Sequence, residues 1–221
     1  MFPLPSICTN NVRDLNDCRL YGFIDLEYVG AHAAESATRA MLDGGVDLIQ
    51  LRAKKQSVAE IVILARKLHA LTSAAEVPLI VNDHAEVAAQ VPVEGVHVGQ
   101  DDGPVSVARE KAGRPVIVGK STHSLEQASA AQKERADYIG FGPIFATPTK
   151  PDYTPIGFEQ IRNVHEQVQL PIFCIGGIKI DNLGEIIAAG ARRVAIVSGL
   201  LKASDIAKYA RACKAMLTPE S

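Results

Sequence analysis

The sequence predicts an α/β protein, a (β/α)8 TIM barrel in one domain, on three observations. Short apolar, β-branched runs alternate with longer stretches whose apolar residues recur at three- and four-residue steps, the pattern of repeated βα units. Eight strand candidates can be counted, the number a closed barrel of this kind requires. The runs VPLIV and PVIVG are apolar nearly throughout, as suits parallel strands buried on both faces. The rival doubly wound open sheet usually has fewer strands. In its dinucleotide-binding form it also carries a G-x-G-x-x-G turn after the first strand, which is missing after Asp25.

The expected strands are, in order, Tyr21 to Asp25, Val46 to Leu51, Leu79 to Asn82, Gly95 to Val98, Val116 to Val118, Asp137 to Phe141, Ile172 to Ile175 and Val194 to Val197. Each is a short β-branched or aromatic run of the kind that fits a pleated, buried surface. Between them the helical spacing predicts His32 to Asp43, Val58 to Ala74, Ser124 to Glu134, Asp181 to Ala189 and Ser204 to Met216. Ser124 with Gln127 three residues on reads as a helix start. Asp181 reads as a start with Gly190 just past the end.

Composition bounds the function. The chain has 221 residues, 47% hydrophobic and 22% charged, ordinary values for a globular protein. A domain of this size buries roughly 70% of its unfolded surface, so it needs no disulfide or metal to hold a core. Lys plus Arg number 23 against 25 Asp plus Glu, a net charge of −2, and aromatics are 5%. That balance argues against nucleic acid and against an anionic bilayer, and for a small-molecule partner. No window approaches the ~20 apolar residues of a membrane-spanning helix. Cys8, Cys18, Cys174 and Cys213 show no C-x-x-C spacing, which fits reduced thiols and a cytoplasmic setting. The opening residues lack the basic and apolar regions of a secretory signal. Residues 1–19 read as a polar, turn-rich extension that packs over one barrel end or joins a subunit contact. Residues 20–217 read as the barrel and 218–221 as a tail.

In this register the chemically capable residues fall just after the strands, so they converge on the C-terminal face of the barrel, where such folds keep their active sites. After the second strand, Gln50, Arg52 and Lys54 alternate and point the same way. The Arg fork and the Lys charge suit phosphate oxygens; a solvated rim salt bridge is the plainer reading. Asn82 and Asp83 follow the third strand, and Asp101 and Asp102 follow the fourth. Asp83 and Asp102 read equally as helix caps or as carboxylates for Mg2+, which usually takes one or two of them and completes its shell with water and substrate phosphate. Ser121, Thr122 and His123 follow the fifth strand, and His123 suits capping, packing or proton transfer. The long segment from Gly142 to Gly157 carries Thr147, Thr149 and Lys150, donors for an anion on a lid-length loop or, more plainly, a proline-stiffened surface loop. In the last two loops, Gly176-Gly177 and Val197-Ser198-Gly199 expose backbone N–H groups where barrel phosphate sites recur.

The motifs QLRAK, VND, GVHVGQDD, STHS, GFGPIFATPTK, CIGGI and VAIVSG, in this order and spacing, resemble the thiamine-phosphate synthase family across roughly residues 20 to 217. The resemblance implies joining of 4-amino-5-hydroxymethyl-2-methylpyrimidine diphosphate to 4-methyl-5-(2-phosphooxyethyl)thiazole, or its carboxylated form, giving thiamine monophosphate and diphosphate with Mg2+ required. It implies that Gln50 to Lys54, Asn82, Ser121 and Lys150 hold the pyrimidine diphosphate and that Asp83 and Asp102 ligate Mg2+. It implies that Thr147, Pro148, Thr149, Gly177, Val197 and Ser198 hold the thiazole phosphate. Arg52, Lys54, Ser121 and Lys150 are then the catalytic set, in a dissociative reaction whose departing diphosphate gains charge. Lys150→Ala is expected to cut turnover more than binding.

Two features depart from the family pattern: Lys120 directly before Ser121, a cation whose orientation the sequence leaves open, and the proline-rich PDYTPIG after Lys150. The rival readings are a thiazole tautomerase using His123 as acid or base, and a binder that kept the barrel without the reaction. Asn82, Asp83, Thr149 and Lys150 argue against the first, and the mutual repulsion of Asp83 and Asp102 in an empty site argues against the second. A homodimer is one assembly the sequence allows.

Overall fold

A computed structural model describes residues 13–147 and 154–218. Within them, eight parallel strands close into a barrel in sequence order: β1 (Leu20–Asp25), β2 (Leu48–Arg52), β3 (Leu79–Asn82), β4 (Gly95–Val98), β5 (Ile117–Thr122), β6 (Tyr138–Phe141), β7 (Ile172–Ile175) and β8 (Val194–Ile196). Closure is made by β1 on β8, with Leu20 opposite Val194. The helices are α1 (Leu26–Asp43), α2 (Val58–Ala74), α3 (Val105–Ala112), α4 (Leu125–Lys133), α5 (Gln160–Gln167), α6 (Ile180–Ala188), α7 (Ser198–Leu201) and α8 (Ile206–Leu217). A 3-10 turn, Ala85–Ala89, stands where β3 would be followed by a helix.

Strand alternation builds two cores. Tyr21, Phe23, Leu48, Ile80, Tyr138, Phe173 and Ala195 fill the barrel interior, while Ile24, Ile49, Leu51, Val81, Val118, Ile139 and Val194 pack outward under the helices. With both faces apolar, the strands read as the continuous runs seen in the sequence. Three aromatic rings crowd the interior, Tyr21 to Phe173 at 5.2 Å and Tyr138 to Phe173 at 5.6 Å between centroids, edge to face. Gly119 on β5 makes the room, since a Cβ there would lie 2.1 Å from Tyr138 Cζ. Leu15 and Cys18, from the segment before β1, pack onto this inner cluster.

Several boundaries differ from expectation. β2 begins at Leu48 rather than Val46, and Asp47 just before it turns its carboxylate onto the Arg19 and Leu20 backbones. β5 continues past Val118 to Thr122, so Ser121 and Thr122 belong to the strand rather than to the loop after it. α1 begins at Leu26, directly after β1, with Asp25 as its cap and a break at Gly30. Asp181 lies inside the first turn of α6, whose cap position is Lys179, and α8 is capped by Asp205 rather than opened at Ser204. Ser124 does cap α4, accepting from the Gln127 backbone. No described helix is long and apolar enough to cross a membrane.

Candidate active site

Arg52 is the last residue of β2, opposite Asp25 at the end of β1. Its Nη1 lies 2.7 Å from Asp25 Oδ2 and 3.5 Å from Glu27 Oε2. Asp25 is fully buried and its other oxygen accepts from the Glu27 backbone at 3.1 Å, so one carboxylate both caps α1 and aims the guanidinium. Glu27 is itself held below the usual carboxylate range by Lys55 and then by Arg52. Lys54 Nζ pairs with the Asp83 carboxylate at the rim, with 43% of the lysine side chain exposed. Asp83 adopts φ 64°, and its backbone N–H reaches the His97 carbonyl at 2.8 Å, which extends the β3–β4 ladder by one residue. Asp102 Oδ2 accepts from the Gly99 backbone at 2.6 Å, tying down the turn after β4.

These two carboxylates test the fit to a metal. They sit on adjoining loops and offer hard oxygen donors, the ligand type Mg2+ prefers. Among the described residues no group of three or more His, Cys, Asp or Glu side chains could hold an ion by itself. The donor set therefore fits an ion that draws the rest of its shell from water and substrate phosphate.

Inside the barrel a hydrogen-bonded chain joins two of the sequence-predicted residues. Gln50 Nε2 lies 2.6 Å from Tyr21 OH, Tyr21 OH 2.9 Å from Tyr138 OH, Tyr138 OH 3.0 Å from His97 Nδ1, and His97 Nε2 3.0 Å from Ser121 Oγ. Burial pushes both phenols above their ordinary value, so they stay protonated. Gln50 Oε1 is buried and has no partner. Lys120 does not join this site. On β5 the inward positions are Ile117, Gly119 and Ser121, so Lys120 points outward, 4% exposed, and its Nζ donates to the Gly103 carbonyl at 2.6 Å. The sequence left the facing of Lys120 open, and the strand's alternation decides it. His123 lines the site; its Nδ1 donates to the Gly142 carbonyl and its backbone donates to Gln127 Oε1 at 2.7 Å.

The opposite wall comes from the last loops. Gly176 and Gly177 have φ 98° and 66°, and a Cβ on either would lie within 2.7 Å of Pro143 or Phe145. Glycine is required there for both conformation and space. The pair keeps the loop after β6 close, with the Phe145 backbone N–H donating to the Gly176 carbonyl at 3.0 Å. Asn182 Nδ2 fixes the Gly177 carbonyl at 3.0 Å. Val197 and Ser198 open α7 beside it.

One pocket unites the two walls. Gln50, Arg52, Asn82 and Ser121 line one side, and Thr147, Gly177, Val197 and Ser198 the other. Lys54, Asp83 and Asp102 do not line it, and Pro148, Thr149 and Lys150 lie outside the described residues. Asp25, Tyr21, Tyr138 and His97 were missed from sequence. Asp25 and His97 had a signal, since each is a polar residue at an inward position of an otherwise apolar strand.

A family model described as thiamine monophosphate synthase matches residues 20–200. A thiamine-phosphate synthase of Halalkalibacterium halodurans is 42% identical over 193 residues, 87% of this chain and 92% of that one. Its counterpart in Chloroflexus aurantiacus is 40% identical over 209 residues, 94% and 96% of the two chains. Among solved structures, a thiamine phosphate pyrophosphorylase from Pyrococcus furiosus superposes with a TM-score of 0.84 at 33% identity, covering 92% of this chain and 96% of its own.

Proposed function

This chain belongs to the thiamine monophosphate synthase family, and from that premise we propose how its barrel mouth performs the reaction. The chain is a transferase with thiamine-phosphate synthase activity. Its substrates in this reading are 4-amino-5-hydroxymethyl-2-methylpyrimidine diphosphate and 4-methyl-5-(2-phosphooxyethyl)thiazole. The observation that carries the reading is the two-walled pocket, with Arg52 and Ser121 on one side and the Gly177 and Ser198 loops on the other. Two anionic substrates thus have two separate walls to bind.

On the first wall, Arg52, already aimed by Asp25, holds the diphosphate, with Gln50, Asn82 and Ser121 against the pyrimidine end. Lys54 swings from Asp83 to the leaving group at the rim, and Lys150 joins it from the loop after β6. On the second wall, Thr147, Thr149 and the backbone around Gly177, Val197 and Ser198 hold the thiazole phosphate. Asp83 and Asp102 are the residues that would hold Mg2+, which when bound neutralises diphosphate charge. The C–O bond to diphosphate breaks first, leaving a resonance-stabilised pyrimidinylmethyl cation that the thiazole nitrogen captures. Charge gathers on the departing oxygens, so Arg52, Lys54 and Lys150 bind the transition state more tightly than the ground state. No side chain serves as a nucleophile. The apolar interior below, Phe23, Ile175 and Ala195, keeps water from the cation. A cytoplasmic setting accords with Cys18 and Cys174, unpaired thiols that burial pushes up to about 12.

The test is a coupling assay with both phosphorylated heterocycles, with and without Mg2+, reading thiamine monophosphate by oxidation to its fluorescent product. Product that requires Mg2+ is expected. No product, with isomerisation of the thiazole carboxylate instead, overturns the reading in favour of a tautomerase.

A further inference from the structure

The chain from Gln50 to Ser121 crosses the barrel through residues to which the proposed reaction assigns nothing. Its polarity follows from counting protons. Gln50 Nε2 can only donate, so the Tyr21 oxygen accepts from it at 2.6 Å. The single Tyr21 proton is then directed at the Tyr138 oxygen, 2.9 Å away. The Tyr138 proton in turn is directed at His97 Nδ1 at 3.0 Å. In this direction His97 Nδ1 accepts, and the proton on Nε2 faces Ser121 Oγ at 3.0 Å. A proton on Nδ1 would instead set two donors against the Tyr138 oxygen and orphan the proton of the fully buried Tyr138.

We propose that Tyr21, Tyr138 and His97 are positioning residues that polarise this chain, so that before substrate arrives the Ser121 hydroxyl presents a donor to the pocket and the Gln50 amide is held with its Nε2 on Tyr21. Gln50 and Ser121, the residues at the two ends of the chain, both line the same pocket. The unpaired, buried Gln50 Oε1 is what a chain running in this direction leaves over, and the Ser121 proton is what it frees at the other end. His97 holds Ser121 and does not shuttle protons. The edge-packed rings of Tyr21, Tyr138 and Phe173 keep the two phenols from turning away. The inference rests on the reading above in one respect, that Gln50 and Ser121 meet the pyrimidine substrate.

The test has two arms. In the 15N-labelled full-length protein, with the His97 signals assigned by loss in His97→Gln, Nδ1 is expected bare and Nε2 protonated at neutral pH. A proton on Nδ1 overturns the proposal, because the chain would then run the other way. In kinetics, Tyr138→Phe keeps the ring and removes one link. It is expected to lower kcat/KM for the pyrimidine diphosphate about tenfold, with the KM for thiazole phosphate unchanged. In a Ser121→Ala background the same substitution is expected to change kcat/KM less than about twofold, because it acts through Ser121. Effects that multiply independently overturn the proposal. If Tyr138→Phe fails to fold, Tyr21→Phe breaks the neighbouring link and carries the same expectation. A wild type that forms no thiamine monophosphate defeats the functional reading alone, and the ring-nitrogen signals still decide the polarity.

Discussion

At the N-terminal mouth of the barrel, Asp47 is 1% exposed and its carboxylate accepts from Arg13, from Lys214, and from the backbones of Arg19 and Leu20 at 2.8 and 2.9 Å. At the C-terminal mouth, Asp83 meets the half-exposed Lys54 and Asp102 meets one backbone N–H. The first arrangement recurs around its end of the barrel. Glu94, directly before β4, accepts from the Leu79 backbone that opens β3 and from His69, and Asp137, directly before β6, accepts from the Val118 backbone in β5 and from Arg109. An acid ahead of each of these even-numbered strands thus stitches the start of the odd-numbered strand beside it. Carboxylates saturated by fixed donors hold the barrel shut. Carboxylates with one partner at an open rim keep coordination capacity for what binds there.

The largest expected effect tests the saturated end. Asp47→Ala strips the partner from two cations and two backbone amides, and is expected to cost about 3–5 kcal/mol. Thermal denaturation should show a midpoint lower by roughly 10 °C, while kcat at 25 °C stays at the wild-type value. A lost kcat with an unmoved midpoint would break the comparison. Lys54→Ala tests the open end and should do the reverse: turnover falls about 100-fold, and the midpoint moves little because an exposed pair contributes only about 0–1 kcal/mol. Steady-state kinetics beside a melting curve separates the two.

Lys120→Met sharpens the comparison by asking whether nearness to the rim or orientation decides function. The residue is on the same strand as Ser121 but faces the opposite way, so the substitution should cost about 1–2 kcal/mol for a lost charged hydrogen bond and leave kcat/KM unchanged. A changed KM for the diphosphate substrate would place Lys120 in the site after all. The smallest effect is at the N-terminal end. His165, on α5, is lowered to about 4 from 6.5 by burial and then by Arg192 and Arg193. Between those values the unfolded chain binds a proton that the folded chain does not, so the contribution is complete above about pH 6.5 and is lost as pH falls toward about 4. His165→Gln should flatten the acid side of the midpoint-against-pH curve, and an unchanged slope would show that other groups set it.

Much of the fold was legible because its signals are local. The bounds of β3, β4 and β7 agree with the apolar runs, and α2 spans Val58–Ala74 as its spacing predicts. α3 and α5 are absent from the sequence reading because each buries so little: Val105, Ala108 and Ala112 in one, Ile161 and Val164 in the other. The placing of Gln50, Arg52, Asn82, Ser121 and Ser198 after or at strand ends was legible too, since one-dimensional position suffices to put a residue near the barrel mouth. The facing of Lys120 was not, because a one-residue change in where β5 ends turns every side chain over.

By itself the sequence determined the alternation of strand and helix, the family, and the end of the barrel at which polar residues gather, because periodicity and motif order are properties of neighbouring residues. Tertiary structure alone decided that Asp25 aims Arg52, that Lys120 turns away, and that Tyr21 and Tyr138, 117 residues apart, bridge Gln50 to Ser121. The first needs β1 beside β2, and the last, from β1 across to β6, exists only once the ring is closed. A hydrogen bond needs its two atoms within about 3 Å, and no property of either residue's own neighbourhood carries that distance.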